Sequence, residues 1–316
     1  MNQDTPQGIL NVNKPLHMSS HDVVDRVRAL TGVRRVGHAG TLDPLATGVL
    51  VVCVGRTATR IVEFLVGEPK TYRTVFQLGF VTDTFDGEGR ILSETSVDLD
   101  RAAVERALGH FRGTIEQVPP MYSAVKHQGK PLYKLARRGI EVDREPRDVE
   151  IDRLELIDWQ DGGNHPRGTL ELECSPGTYV RVLVHDLGQH LGCGAYVKSL
   201  TRVASGDFRL DDAVTWETAA EAAEAGRFDE LLYPVDQALA PRLPALRLEE
   251  EEARQLCSGQ AIDEVHALAP SAGLARVYGP DGRFLALAAL DHDASVWRPR
   301  KVFVSPYPDT PSGDSA

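Results

Sequence analysis

Strand-like and helix-like segments follow one another irregularly along the first two thirds of the chain. Gly8–Lys14 and Val49–Val54 are apolar runs typical of buried strands. Between them, apolar residues at helical spacing indicate a helix that opens at Ser20, or after Ser19 through a capping box, and ends at Gly32. Because strands and helices do not alternate regularly, the sequence predicts an α+β fold with a mixed sheet rather than a doubly wound fold.

The remaining segments extend this pattern and suggest a second, smaller unit. Prolines cluster around residue 240, after an acidic helix at Trp216–Ala225, and predict domains at 1–240 and 241–306 with a disordered tail at 307–316. The other predicted elements are helices at Arg56–Leu65, Leu99–Leu108, Leu132–Arg138, Tyr179–His190 and Glu249–Leu256, and strands at Tyr72–Leu78, Thr169–Cys174, Tyr196–Val203, Gly273–Tyr278, Phe284–Leu290 and Lys301–Val304.

The composition excludes several classes of protein. The first residues lack the basic and apolar regions of a signal peptide, and no apolar run approaches the roughly 20 residues that a membrane span needs. The four cysteines form no C-x-x-C pair, so we expect neither a zinc site nor disulfides. The sequence therefore predicts a cytoplasmic protein that does not contact the membrane and binds no metal.

Charge is distributed unevenly along the chain. The net charge of −11 argues against a nucleic-acid partner, but binding depends on local charge. Residues 121–139 contain no Asp or Glu, and a solvated helix face and a phosphate-binding surface both remain open for this segment. Its cations are Lys126, Lys130, Lys134, Arg137 and Arg138.

The segment Gly37–Gly48 is the strongest candidate for a reactive site. Three glycines and Pro44 predict an irregular loop between a helix and a buried strand, with Asp43 at its centre. A carboxylate between apolar neighbours is costly to bury unless it is paired, and a paired one is suited to nucleophilic or general-base chemistry. The alternative is that Asp43 only caps a turn.

Several motifs, in order, resemble those of the bacterial tRNA pseudouridine-55 synthases, the TruB family. The loop GHAGTLDPLATGVL is similar to the catalytic motif of that family, and the likeness extends to about residue 208. The other matching blocks are Gly8–Ser20, Lys70–Arg73, Gly79–Gly89, Val118–Ser123 with Lys126, and Cys174–Arg181. His17 departs from the family, which usually has glycine there, so we expect a strained turn at that position.

The resemblance implies a pseudouridine synthase fold with a largely antiparallel central sheet, and an isomerisation that needs no cofactor. The enzyme would break the N-glycosidic bond of a tRNA uridine, rotate the base and rejoin it through C5. Asp43 would be the essential carboxylate, as nucleophile or base. Arg181 would pair with it, where a guanidinium fork can hold a carboxylate through two hydrogen bonds. Tyr72 would stack on the base.

The resemblance also implies how the RNA is bound. A uridine inside the T-loop must be turned out of its stack, at a cost of a few kcal/mol. His38 would fill the gap that the base leaves, and Tyr179 and Leu200 would line the pocket. We expect phosphate contacts from Lys14, Lys126, Lys130 and Lys134, and no obligate protein partner.

The C-terminal residues resemble the PUA-like modules that grip the tRNA acceptor arm. The segment from Arg242 to Ala316 has eight Lys or Arg residues and eleven Asp or Glu residues, which is unusual for a phosphate-binding surface. We therefore expect a small β-rich, PUA-like module that is not an obvious phosphate-binding surface.

Two rival functions remain at this point. A retaining glycosidase would need a second carboxylate beside Asp43. Asp83 and Asp86 are the candidates, but their loop is hydrophilic and rich in turns, and it also lacks the spacing of an EF-hand calcium site. The other rival is a tRNA-binding chaperone that has kept the fold without the reaction.

Overall fold

Two β-sheets organise the protein in this computed structural model, which describes residues 6–263, 273–305 and 307. The nine strands of the larger sheet lie before residue 210, and the five strands of the smaller sheet lie after residue 244. Helices and loops flank the larger sheet, which confirms the predicted α+β fold. None of the helices in the described residues is long and apolar enough to cross a membrane.

The first half of the chain supplies two edges of the larger sheet and the helices near it. Its elements are β1 (Gly8–Lys14), α1 (Ser20–Thr31), β2 (Val36–His38), β3 (Ala46–Val54), α2 (Gly55–Thr59), α3 (Val62–Val66), β4 (Lys70–Leu78), β5 (Phe80–Thr82), β6 (Ile91–Glu94), α4 (Arg101–Leu108), β7 (Gly113–Gln117), β8 (Lys126–His127), β9 (Lys130–Pro131) and α5 (Leu132–Ala136).

The second half completes that sheet and then builds the smaller one. Its elements are β10 (Arg147–Gln160), β11 (Arg167–Cys174), α6 (Val180–His190), β12 (Ala195–Ser205), β13 (Phe208–Arg209), α7 (Trp216–Glu224), α8 (Val235–Leu239), β14 (Ala245–Arg247), α9 (Glu250–Cys257), β15 (Ile262–Asp263), β16 (Leu274–Tyr278), β17 (Phe284–Asp291) and β18 (Val296–Val302).

The larger sheet has the order β1-β3-β12-β4-β11-β10-β7, with β2 paired to β3 and β13 to β12. Every described pair in it is antiparallel except β3 with β12, where Ala46 lies opposite Leu200 and Gly48 opposite Arg202. This one parallel pair brings the end of the Gly37–Gly48 segment against a strand more than 150 residues away. The sheet is therefore mixed and largely antiparallel, as predicted.

Helix α1 begins and ends where the sequence indicates. The Ser19 side chain accepts a hydrogen bond from the Asp22 amide, and the Asp22 carboxylate accepts one from the Ser19 amide, so the capping box is complete. Gly32 adopts the left-handed conformation, with φ of 69°, and its amide donates to the carbonyl of Arg28. The buried valines of the helix pack against the sheet and fix the position of its N-terminus.

Within the larger sheet and its helices, two predictions of secondary structure were wrong and one strand was missed. Residues 33–48 are not all loop, because β2 forms there and β3 already starts at Ala46. Arg56–Leu65 is two short helices, interrupted at Arg60 and Ile61. The sequence did not indicate β10, the longest strand, in which two bulges shift the alternation of buried and exposed residues.

The smaller sheet has the order β14-β16-β17-β18-β15 and packs against the larger unit. Leu287 lies in a core cluster with Ile9 and Val49, and the Arg60 guanidinium donates to the carbonyl of Val302. The boundary after residue 240 stays a prediction. The third predicted C-terminal strand is misplaced, because the strand ends at Val302. The predicted tail, apart from Tyr307, lies outside the described residues.

Candidate active site

A cavity of about 230 Å³ lies where the segment before β3 meets β4, β12 and the start of α6. Five residues that the sequence proposed for the site line it together: Asp43, Tyr72, Tyr179, Arg181 and Leu200. Lys70, Ser123 and Arg202 line it as well; the first two lie in blocks that resemble the family but had no assigned role, and Arg202 was not indicated by the sequence. The topology explains the convergence, because β12 pairs with both β3 and β4.

The backbone on both sides of Asp43 is fixed by buried polar side chains. The Ser20 hydroxyl accepts from the amide of Leu42 at 2.8 Å and donates to its carbonyl at 3.1 Å. The Lys14 ammonium donates to the carbonyl of Pro44 at 3.4 Å and to two carbonyls near its own strand. Asp43 is therefore held at the cavity by its neighbours on both sides.

His17 takes part in the same support. Its φ of 62° lies in the left-handed region, which is why glycine is the usual residue there. Its amide donates to the carbonyl of Pro44 at 2.8 Å, and its Nδ1 lies 3.3 Å from the Glu88 carboxylate. The expected strain is thus present, and the turn keeps its contact with the segment that carries Asp43.

Arg202 holds the other end of the segment. It is 1% exposed, and its guanidinium donates to the carbonyls of Val49, Thr41 and Gly40 at 2.7, 3.4 and 3.1 Å. Gly48 lets β12 come close, because a Cβ there would lie 2.2 Å from the Arg202 carbonyl oxygen. A single arginine thus supports the segment on both sides of Asp43, a role that depends on pairing between distant strands.

Arg181 pairs with Asp43 as the resemblance implied, but through one hydrogen bond rather than two. Its Nε lies 2.8 Å from the Asp43 Oδ2 atom. Its two other nitrogens donate to the carbonyls of Thr84 and Tyr122, both at 2.9 Å. The guanidinium is therefore oriented by three chain segments, while a third of the Asp43 side chain stays accessible from the cavity.

The loop of Asp83 and Asp86 was expected to offer no second carboxylate in a setting like that of Asp43, and Asp86 shows that this expectation was wrong. It is 4% exposed, and its Oδ2 lies 3.6 Å from a nitrogen of Arg181. The Thr84 hydroxyl and the Glu88 amide donate to the other carboxylate oxygen. Burial raises the pKa of Asp86, against the opposing effects of these hydrogen bonds and of Arg181. The composition of the loop is hydrophilic, but its turn directs this one side chain inward.

Two tyrosines form apolar walls of the cavity. Tyr72 is 9% exposed, and burial raises its pKa, so the phenol is neutral at physiological pH. Burial also raises the pKa of Tyr179. The buried amide of Gln117 holds the Tyr179 backbone, accepting from its N–H at 3.0 Å and donating to its carbonyl at 3.3 Å. Leu200, which is 5% exposed, lines the cavity together with these two rings. The cavity therefore offers apolar surface beside the Asp43–Arg181 pair.

Lys14 does not lie where the resemblance placed it, and His38 lies outside the lining of the cavity. Lys14 is fully buried, and burial lowers its pKa to about 8, so it supports the backbone instead of meeting RNA phosphate. His38 lies in β2, outside the lining of the cavity, with its Nδ1 buried and without a hydrogen-bond partner. Burial lowers the pKa of His38. Its role in filling the gap left by a base stays a prediction.

The cations of residues 121–139 are exposed and adjoin the cavity. Lys126 and Lys130 lie on the β8–β9 hairpin, and Lys134 lies on α5. The amide of Tyr133 donates to the carbonyl of Ser123, which lines the cavity. Among the described residues, no group of three or more His, Cys, Asp or Glu side chains is placed to hold a metal ion.

Three family models together match most of the chain, from residue 28 to residue 303. The model of the N-terminal domain of TruB family pseudouridylate synthases matches residues 28–180. That of the tRNA pseudouridylate synthase B C-terminal domain matches 181–240, and that of the C-terminal region of pseudouridine synthase II TruB matches 244–303.

Proteins named tRNA pseudouridine synthase B are similar over the whole length. One from Pseudomonas aeruginosa (strain UCBPP-PA14) is 45% identical over 301 residues, 94% of this chain and 96% of the relative. One from Dehalococcoides mccartyi (strain ATCC BAA-2100) is 42% identical over 310 residues, 96% and 99% of the two chains. A chain of a Cbf5-Nop10-Gar1 complex shares the fold, with a TM-score of 0.71, 24% identity, and coverage of 96% and 87%.

Proposed function

We propose how this chain, which belongs to the TruB family of pseudouridylate synthases, selects its uridine and isomerises it. It is a tRNA pseudouridine synthase, an isomerase that converts uridine in tRNA to pseudouridine. The proposed target is the uridine at position 55 of the T-loop. The observation that carries the proposed residue roles is the pairing of Asp43 with Arg181, at 2.8 Å, on the wall of a cavity that Tyr72 and Leu200 also line.

The reaction needs a carboxylate that stays ionised beside a base-sized space. Arg181 places a positive charge beside the Asp43 carboxylate, and its hydrogen bond orients one carboxylate oxygen. The other oxygen is then available to the uridine, as nucleophile or as base. The C1′–N1 bond breaks, the uracil rotates in the cavity, a C1′–C5 bond forms, and N1 gains one proton for the one that C5 loses. Substrate and product are isomers, so no cofactor is consumed.

The cavity walls would hold the base while it is detached. Turning the uridine out of its stack costs a few kcal/mol, and stacking on an aromatic ring returns about 1–3 kcal/mol. Tyr72 offers that ring within the cavity, and Leu200 and Tyr179 exclude water from it. His38 would take the place of the extruded base from its position beside the catalytic segment.

The exposed cations of residues 121–139 would hold the T-arm of the tRNA. They lie directly after Ser123 and Ala124, which line the cavity, so phosphates that flank the extruded uridine come within their reach. The PUA-like smaller sheet would contact the acceptor arm. With tRNA as substrate, we place the protein in the cytoplasm, without an obligate protein partner.

A single-turnover assay on a T-arm minihelix tests the proposal. We expect one equivalent of pseudouridine at position 55, and none when that position is cytidine while neighbouring uridines remain. Release of free uracil would instead support the glycosidase, and binding without any product would support the chaperone, which the family membership disfavours. Pseudouridine at another uridine would overturn the proposed position alone.

A further inference from the structure

Two stacked rings lie beside the Arg181 network. The rings of Phe85 and His185 have centroids 3.9 Å apart and planes 19° apart. Phe85 stands between Thr84 and Asp86, whose oxygens face Arg181. His185 lies four residues after Arg181, about one turn further along α6. The stack therefore connects the same loop and the same helix that the Arg181 contacts connect.

The backbone at Phe85 is strained in a way that serves those contacts. Its φ of 63° lies in the left-handed region, which an aromatic residue rarely adopts. The loop on either side is fixed to β12, where Val197 donates to the Phe85 carbonyl at 3.0 Å and Gly87 donates to the Val197 carbonyl at 2.9 Å. A residue keeps such a conformation only where its surroundings enforce it.

His185 acts here as a flat apolar ring. Its buried Nδ1 has no hydrogen-bond partner, and burial lowers its pKa, so the neutral imidazole is favoured against the Phe85 ring. It does not line the cavity, and therefore touches no part of a bound uridine in the proposed pocket. His185 therefore acts on the reaction from outside the cavity, through the Phe85 loop it stacks on or through α6, which carries Arg181.

We propose that the Phe85–His185 stack is a positioning device that holds the strained loop so that Thr84 and Asp86 orient the Arg181 guanidinium. This inference rests on the proposed role of Arg181. Without the stack, the loop relaxes away from α6, Arg181 loses the Thr84 carbonyl and the Asp86 carboxylate, and Asp43 is presented in a less defined geometry. A misplacement of about 1 Å in a reactive group costs up to about 100-fold in rate.

The test compares ring-keeping and ring-removing variants in the full-length protein. His185→Phe keeps a planar ring, whereas His185→Leu keeps apolar volume without one and His185→Ala removes both. We expect the single-turnover rate to fall by about 10- to 100-fold in the Leu and Ala variants, and to stay within about threefold in the Phe variant. The Kd for the minihelix should change by less than about twofold in all three, because the ring is outside the cavity. Gln189→Ala is the control, because Gln189 is exposed and lies one turn after His185 on α6; its rate and its Kd should match those of wild type.

Two outcomes overturn the proposal. One is a His185→Leu rate equal to that of His185→Phe, which would mean that packing volume suffices. The other is an equal loss in rate and affinity, which would indicate general unfolding of the site. Should His185→Ala not fold, the Leu and Phe pair still decides. Arg181→Lys is assayed in parallel. A normal rate in Arg181→Lys would show that the proposed role of Arg181 is wrong. A reduced rate in Arg181→Lys together with a normal rate in His185→Leu would reject only the role of the stack.

Discussion

Two groups of cations in this protein have opposite surroundings. The buried group lies at the cavity or against the segment that carries Asp43 and is 5% exposed or less, and the other lies on the segment 121–139 and faces solvent. The first consists of Lys14, Lys70, Arg181 and Arg202, and the second of Lys126, Lys130 and Lys134. The buried cations donate mainly to backbone carbonyls, whereas the exposed cations remain available to bind phosphate. Burial, and not the charge itself, thus separates the residues that build the site from those that can reach RNA.

The difference follows from the cost of burying charge. A buried ammonium or guanidinium is tolerated only when oxygen acceptors replace its water. Lys14 has three such carbonyls and Lys70 has two, yet desolvation still lowers the pKa of each to about 8. The protein accepts this cost at the segments that carry Asp43 and line the cavity, where a rigid backbone is needed.

The largest effect is expected from Arg181→Lys. A lysine keeps the charge but cannot serve Asp43 together with the carbonyls of Thr84 and Tyr122. Two lost charge-assisted hydrogen bonds, at about 1.5–3 kcal/mol each, correspond to a rate about 10²- to 10⁴-fold lower. Single-turnover kinetics measure this, with tRNA affinity as a second readout that should hardly change. Arg73→Lys, at an exposed pair with Glu171, is the matched control, and near-normal rates in both variants would contradict the role of Arg181.

A moderate effect is expected on the pH dependence of stability in Lys14→Met. Between pH 8 and 10.5 the unfolded chain carries a proton on Lys14 that the folded protein has lost. The unfolding free energy of wild type should therefore rise relative to the variant as pH increases, by at most about 1.4 kcal/mol per pH unit. Denaturant unfolding at several pH values measures the difference. Lys198→Met, at an exposed lysine, is the control, and the difference in unfolding free energy between wild type and this variant should not change with pH. If the unfolding free energies of wild type and Lys14→Met change in parallel with pH, Lys14 is not desolvated.

The smallest effect on the chemistry is expected from the exposed group. Each phosphate contact adds roughly 0.7–0.9 to the log–log dependence of affinity on salt. Replacing Lys130 and Lys134 together by alanine should flatten that slope by about one to two units and leave the rate at saturating RNA nearly unchanged. Arg106→Ala, an exposed cation of α4, serves as control. If the double variant keeps the wild-type slope, the segment is a solvated face, and the claim that the exposed cations contact RNA phosphate is wrong.

The sequence could predict the segment around Asp43 and the capping of α1 because both depend on neighbours in the chain. It could not predict Arg202, whose guanidinium reaches Gly40, Thr41 and Val49 only because β12 lies parallel to β3. It placed Lys14 among the RNA contacts because a motif records residue type and not burial. The burial of Asp86 was not predicted either. It depends on the left-handed backbone at Phe85, which the hydrophilic composition of the loop does not indicate.

Asp43 is the one carboxylate proposed to carry the reaction, and Arg181 and Arg202 position it or its segment. Single-turnover pseudouridine formation with Asp43→Asn tests this directly, beside Asp83→Asn, an exposed carboxylate of the neighbouring loop. The account predicts no product from Asp43→Asn, a Kd for tRNA within about threefold of wild type, and a normal rate from Asp83→Asn. Pseudouridine formed by Asp43→Asn protein, after mass spectrometry has excluded deamidation back to aspartate, would contradict it.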